Sequence, residues 1–252
     1  MKTKLTLALA LTLGALGLVD TASAAGNVKN VVLVHGAFAD GSGWASVAKL
    51  LAAKGYNVSV VQEPETSFDE DVKATQRVIA MQDGPVILVG HSYGGAVITE
   101  AGNDPKVASL VYVAALQPDA GEAAGQLLNK TPAAGKGIKP TPDGYLYIDP
   151  SVFAADFAAD LPKPQAEFMA RSQVLVAASA LSQPIKTAAW KSKPSWAIVA
   201  TQDRSINPDL ERWMTSRAKS KTVEVAASHA VYISHPADVV KLVDEAARAP
   251  AK

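Results

Sequence analysis

The sequence predicts an α/β fold, a doubly wound and mostly parallel sheet of about six strands with a small cap inserted into it. Three observations carry that prediction. Continuous apolar runs rich in β-branched residues, such as Val31–Val34 and Val86–Val89, alternate with segments of helical periodicity, and strands buried on both faces read in this way. The second run breaks at Gly90-His91-Ser92-Tyr93-Gly94-Gly95 into Ala96-Val97-Ile98, so a strand, a tight turn and a helix follow one another directly. The alternation then stops between about residues 117 and 192, where eight of the fifteen prolines lie, and resumes afterwards as it does around an insertion.

Residues 1–24 read as a secretory signal peptide and are set apart from the fold. Met1-Lys2-Thr3-Lys4 is basic, Leu5–Val19 is largely apolar without charge, and Ala22-Ser23-Ala24 has the small-x-small pattern of a cleavage site. An apolar run of 15 residues is short for a membrane span of about 20. The expectation is therefore an exported protein, periplasmic or secreted, whose mature chain of residues 25–252 has no stable membrane association. Removing Lys2, Lys4 and Asp20 leaves 22 basic against 23 acidic side chains, and no basic cluster stands out to bind nucleic acid. The chain has no cysteine, which excludes disulfides, thiolate metal sites and a cysteine nucleophile.

Taken in order, the mature chain opens on the strand Val31–Val34, which ends in His35-Gly36-Ala37-Phe38. Trp44–Ala53 fits a helix with Val47, Leu50 and Leu51 on one face and Gly55 as its stop. Val58–Val61 is the next strand. Ser67-Phe68-Asp69-Glu70 is a capping box that opens a helix to about Met81, stopped by Asp83-Gly84-Pro85. After the elbow, Leu110–Ala115 is a further buried strand. Beyond the segment 117–192, strands fit Trp196–Ala200 and Thr222–Val225, and helices begin near Asn207-Pro208 and at Pro236.

Ligands of such sheets gather at the carboxyl ends of the strands, so the strand ends are where chemistry is sought. Ser92 lies at the tip of a G-x-S-x-G turn, a motif that three fixed positions would match by chance in about one chain in ten of this length. Its flanking strand and helix supply the context that makes it a candidate nucleophile; otherwise its serine merely caps a helix. Asp203 follows the strand that ends at Ala200, and His229 follows the one that ends at Val225. A serine hydroxyl becomes nucleophilic when an imidazole takes its proton, and a carboxylate fixes that imidazole's tautomer. The backbone N–H groups of Ala37 and Tyr93 are the expected donors to the developing oxyanion, and Phe38 beside them is the expected substrate contact. Asp119, after the preceding strand, is the alternative acid, and His235 the alternative base, although its place before Pro236 suits a helix cap. His35 and His91 read as loop braces, and the histidine spacings give no metal site.

Val32-Leu33-Val34-His35-Gly36-Ala37, Gly90-His91-Ser92-Tyr93-Gly94-Gly95, Asp203 and Ser228-His229 together resemble the α/β-hydrolase superfamily over nearly the whole mature chain. Within it the likeness is to the small esterases grouped with plant methylesterases and hydroxynitrile lyases. That resemblance implies a sheet core beneath a small cap, no cofactor, and a Ser-His-Asp mechanism acting on a small-molecule carboxylic ester. It leaves two other outcomes open: a cofactor-free lyase of the hydroxynitrile type, or a non-catalytic small-ligand-binding protein. Lyases of the plant type carry a lysine directly after the catalytic histidine, where this chain has Ala230. The aromatics of the insertion, Tyr145, Tyr147, Phe153, Phe157, Phe168 and Trp190, are candidates either to line a pocket over Ser92 or to hold cap and core together.

Overall fold

A computed structural model describes residues 28–249; the signal peptide expected over residues 1–24 lies outside them. In chain order the first half contains β1 (Asn30–Val34), α1 (Ala45–Ala53), β2 (Asn57–Val60), α2 (Phe68–Ala80), β3 (Val86–Ser92), α3 (Gly94–Ala101) and β4 (Val107–Ala115). The intervening segment contains α4 (Ala124–Lys130), β5 (Ile138–Pro140), β6 (Tyr145–Ile148), α5 (Pro150–Phe157), α6 (Lys163–Ser172), β7 (Val176–Ala177) and α7 (Ala178–Ser182). The chain closes with β8 (Ser195–Ala200), α8 (Pro208–Arg217), β9 (Lys221–Val225), α9 (Val231–Ser234) and α10 (Pro236–Ala247).

The central sheet has six strands among the described residues, in the order β2-β1-β3-β4-β8-β9. Every pairing in it is parallel. Because side chains alternate across a strand, Val31 and Leu33 enter one core while Val32 and Val34 enter the other. The first core is closed by α1 and α10, through Val47, Leu51, Val239 and Val243, and the second by α2, α3 and α8. Both faces of the sheet are thus covered, which is why the central strands β1, β3, β4 and β8 read as largely apolar runs, whereas the edge strands β2 and β9 are half-buried or exposed.

Two expectations are corrected in the helices. Leu50 is 39% exposed, while Trp44, Val47 and Leu51 are buried. The inward stripe runs through those three, and Leu50 lies one step of about 100° round from Leu51. His235 precedes α10 but its ring makes no capping bond, pairing instead with Ser234 Oγ at 2.8 Å.

The segment 117–192 is more regular than its composition suggests. It holds four helices and an antiparallel sheet in the order β5-β6-β7. Prolines that read as breakers occupy the first turns of α5 and α6, where a missing N–H leaves no helical bond unmade. The segment packs back on the core through Phe153 and Phe157 and through Trp190, whose Nε1–H donates to the carbonyl of Pro118 at 2.7 Å.

Candidate active site

Ser92 ends β3 with φ at +54°, the left-handed region that a residue with a Cβ occupies at a cost of about 1–3 kcal/mol. The glycines around it make the turn possible. A Cβ at Gly90 would stand 2.6 Å from the carbonyl oxygen of Gly94, and one at Gly94 would collide with the carbonyl oxygen of His35. Any side chain at either place would push strand and helix apart and lower Ser92 from the sheet edge.

Three residues from three strand ends meet there. Ser92 Oγ lies 2.8 Å from His229 Nε2, and His229 Nδ1 lies 2.5 Å from Asp203 Oδ2. An ionised carboxylate only accepts, so the imidazole proton sits on Nδ1 and the lone pair of Nε2 faces the serine hydroxyl. The other carboxylate oxygen of Asp203 accepts from the backbone N–H groups of Ser205 and Ile206, at 2.7 and 2.9 Å, which fixes the group's rotation. All three are buried, Ser92 being 9% exposed. Asp119, the alternative acid, is engaged elsewhere: Lys191 Nζ approaches its Oδ1 to 2.5 Å. Burial works to raise the Asp119 carboxyl, but the bond and charge of Lys191, the N–H of Ala120 and the charge of Arg217 together outweigh it and hold the group below the usual carboxylate range.

Ala37, Phe38, Ser92, Tyr93 and His229 border one cavity, about 600 Å³ when the open solvent at its mouth is counted. The amides of Ala37 and Tyr93 form none of the turn, loop and cap bonds among the described residues. The rest of the wall is largely aliphatic, from Leu116, Leu128, Ile138, Ile148, Leu181 and Ile206, with Asp156, Arg204 and Ser205 as its polar part. Of the six candidate aromatics, Phe157 alone borders this cavity; its ring meets that of His229 edge-on, with centroids 4.7 Å apart. Phe153 is wholly buried behind it and stacks on it at 5.0 Å, whereas Phe168 is 69% exposed. The aromatics therefore serve mainly to join cap and core.

The two brace histidines are neutral. Burial pushes the imidazolium of His91 strongly down, and its Nε2–H donates to the carbonyl of His229 at 2.9 Å. His35, also lowered by burial, accepts the N–H of Glu63 at Nε2, 2.9 Å away. Among the described residues His35, Glu63 and Glu65 are near enough to one another to hold a metal ion. With Nε2 accepting, however, the proton of neutral His35 is on Nδ1, which donates to the carbonyl of Gly36 at 3.1 Å and so turns no lone pair towards the carboxyls 3.6 and 4.0 Å away. Burial, and next the charge of Asp71, push Glu65 up to about 9; Glu63 is raised by the same two causes.

Several supporting residues escaped the sequence reading. Tyr93 Oη donates to Asp71 Oδ2 at 2.8 Å, which ties the residue after Ser92 to α2. Glu211, buried on α8 beside Asp203, is pushed up by burial and by that neighbour's charge. Its position between Leu210 and Met214, on the inward stripe of α8, was the available signal. From the cap, Asp156 receives Arg204 Nε at 3.1 Å and the N–H of Lys136 at 3.1 Å, while Ser205 Oγ donates to its carbonyl at 2.8 Å. The loop that carries Asp203 is thereby fastened to the cap.

A nucleophile elbow on the third strand of a parallel sheet, with an acid and a histidine at two later strand ends, defines a class. The chain belongs to the alpha/beta hydrolase family, whose model matches residues 31–242. Among its relatives it is similar to a pyrethroid hydrolase of Sphingobium wenxiniae, 28% identical over 89% of this chain and 90% of that one. It is similar also to Methylesterase 2 of Arabidopsis thaliana, 24% identical over 74% of this chain and 82% of that one. A crystal structure of a pyrethroid hydrolase matches at a TM-score of 0.78 and 25% identity, over 89% of this chain and 99% of that one. Polyneuridine aldehyde esterase matches at 0.73 and 20% identity, over 86% and 98%, a likeness of fold alone. The resemblance to the small esterases is borne out, and the chain is a hydrolase of that family.

Proposed function

We propose that this protein is an exported serine esterase that cleaves small, apolar carboxylic esters through an acyl-enzyme. The observation that carries the reading is the continuous relay from Ser92 Oγ to His229 Nε2 and from His229 Nδ1 to Asp203 Oδ2, at 2.8 and 2.5 Å, on the floor of a cavity. As Ser92 Oγ bonds to the ester carbonyl carbon, its proton passes to His229 Nε2. Asp203 stabilises the imidazolium, and the amides of Ala37 and Tyr93 meet the negative charge on the carbonyl oxygen. Collapse breaks the bond to the alcohol oxygen, which takes the proton from Nε2. Water, deprotonated in turn by Nε2, then attacks the acyl carbon; the bond from that carbon to Ser92 Oγ breaks, Oγ takes the proton back from Nε2, and the acid is released.

The aliphatic lining supports an apolar acyl or alcohol group, and the names of the relatives, a pyrethroid hydrolase and a methylesterase, support an ester. The lyase reading has less to support it. Cyanide leaves as an anion, which in a dry pocket costs several kcal/mol without a fixed cation. At Ala230 there is none; Lys163 is 85% exposed and faces Glu167; Arg204 borders the cavity but is paired with Asp156.

Assay of one preparation on a p-nitrophenyl ester and on mandelonitrile, beside Ser92→Ala, tests the proposal. Ester cleavage that disappears in Ser92→Ala, with no comparable cyanide release, is the expected result. Faster cyanide release would favour the lyase, and an absence of both activities a binding protein. Amino-terminal sequencing of the protein recovered outside the cytoplasm tests export, the expected first residue being Ala25.

A further inference from the structure

We propose that Asp160, in the turn after α5, is a positioning residue for His229, so that the cap holds the general base as well as roofing the cavity. The inference rests on the acyl-enzyme reading above. Asp160 Oδ2 accepts the backbone N–H of Ser228 at 3.0 Å, and Oδ1 accepts a short bond from Ser228 Oγ. Ser234 Oγ, from α9 on the far side of the histidine, donates to the same Oδ2 at 2.8 Å. One carboxylate therefore clamps residues on both sides of His229.

The backbone of the same turn completes the clamp. The N–H of Ala230 donates to the carbonyl of Phe157 at 3.0 Å, and Ser228 Oγ lies 3.3 Å from that oxygen. His229 is thus flanked by two residues whose backbone N–H groups both end on the cap, while its own carbonyl is held from below by His91. The ring has few torsions left once its backbone is fixed: Asp203 orients it from one side, and the edge of Phe157 abuts it from another.

The charge on Asp160 matters to this arrangement. Its side chain is 23% exposed, and burial alone would raise it. The bonds from Ser228 and Ser234 outweigh that and hold it below the usual carboxylate range, so it accepts at both oxygens wherever the neighbouring serine can donate. His235 Nδ1 stands 4.0 Å from Oδ2 and is satisfied by Ser234, leaving the two serines as the neutral donors that fill the carboxylate.

Asp160→Ala frees Ser228 from the cap and lets the imidazole drift from Ser92, and a misplacement of about 1 Å costs about 10²-fold. The expected result is a kcat for a short p-nitrophenyl ester about 10- to 100-fold lower, a KM within about threefold of the parent, and labelling of Ser92 by a fluorophosphonate slowed by the same factor as kcat. Asp160→Asn keeps one acceptor oxygen and is expected to recover part of the loss at an unchanged KM. It also carries the test if the alanine variant does not fold. A kcat within twofold of the parent in the folded variants overturns the proposal, as does a loss confined to KM or one that tracks the folded fraction equally in both. Ser92→Ala separates the two levels: turnover that survives in it refutes the triad, whereas its inactivity beside a fully active Asp160→Ala refutes only the role of Asp160.

Discussion

The floor of the cavity is polar and closely hydrogen-bonded, its residues delivered by β1, β3, β8 and β9, whereas the roof is aliphatic, with one ion pair between Asp156 and Arg204 at its edge. The floor depends on buried groups with fixed donors and acceptors, where an error of one bond changes the chemistry. The roof depends on shape, and shape changes alter which molecule enters. The two regions meet at the staples from Asp156 and Phe157 to the loops that carry Asp203 and His229, so the division of labour is not complete.

A change on the floor should therefore act on kcat with the largest effect. Asp203→Asn replaces an acceptor by a donor at His229 Nδ1, turns the imidazole to the wrong tautomer and is expected to lower kcat by about 10⁴ with the fold retained. A loss of less than about tenfold, measured beside an unchanged circular dichroism spectrum, would break the comparison.

The next effect is on stability. Glu65, held up to about 9 when folded against an ordinary 4.5, binds a proton in the folded protein that the unfolded chain has already released. The contribution of Glu65 to stability is therefore greatest below about 4.5 and falls as the pH rises towards about 9, in the sense that more protons are bound in the native state. Glu63 acts in the same direction. Urea midpoints at pH 6 and pH 9 should show the fall, and Glu65→Gln should flatten it; equal midpoints for the parent protein would contradict the buried-acid account.

Within the cap, Phe153→Ala should cost about 3–5 kcal/mol, since its ring is wholly buried against Phe157, while Phe168→Ala stays within about 0.5 kcal/mol. Equal shifts in denaturant midpoint would mean that the cap does not pack as described. The smallest effect sharpens the contrast between regions. Ile138→Trp fills the roof and is expected to lower kcat/KM for bulky esters about tenfold while sparing acetyl esters. A uniform loss across acyl sizes would place Ile138 outside the substrate path.

The same division explains what could be read from the residues alone. The central strands were legible because a sheet covered on both faces needs unbroken runs such as Val86–Val89, and Ser92 and Asp203 were legible because each follows such a run; His229 follows the edge strand Lys221–Val225, which is mostly exposed and was marked only by its β-branched residues. Leu50 was misplaced because α1 is short and its stripe is set by Trp44, which belongs to the turn before it. In the cap, elements of two to ten residues carry too few periods to be distinguished, and its prolines start helices as readily as they stop them. Asp71, Asp156 and Asp160 act through residues 22, 48 and 68 positions away, contacts that no local pattern records.

The central claim is that Ser92 is the nucleophile, and covalent labelling addresses it without knowledge of the natural ester. The purified protein, treated with a fluorophosphonate and digested, should yield one modified peptide with the phosphonyl group on Ser92, and His229→Ala should abolish or greatly slow its formation. A stoichiometric adduct on any other serine, or labelling of Ser92 at the parent rate in His229→Ala, would contradict the account.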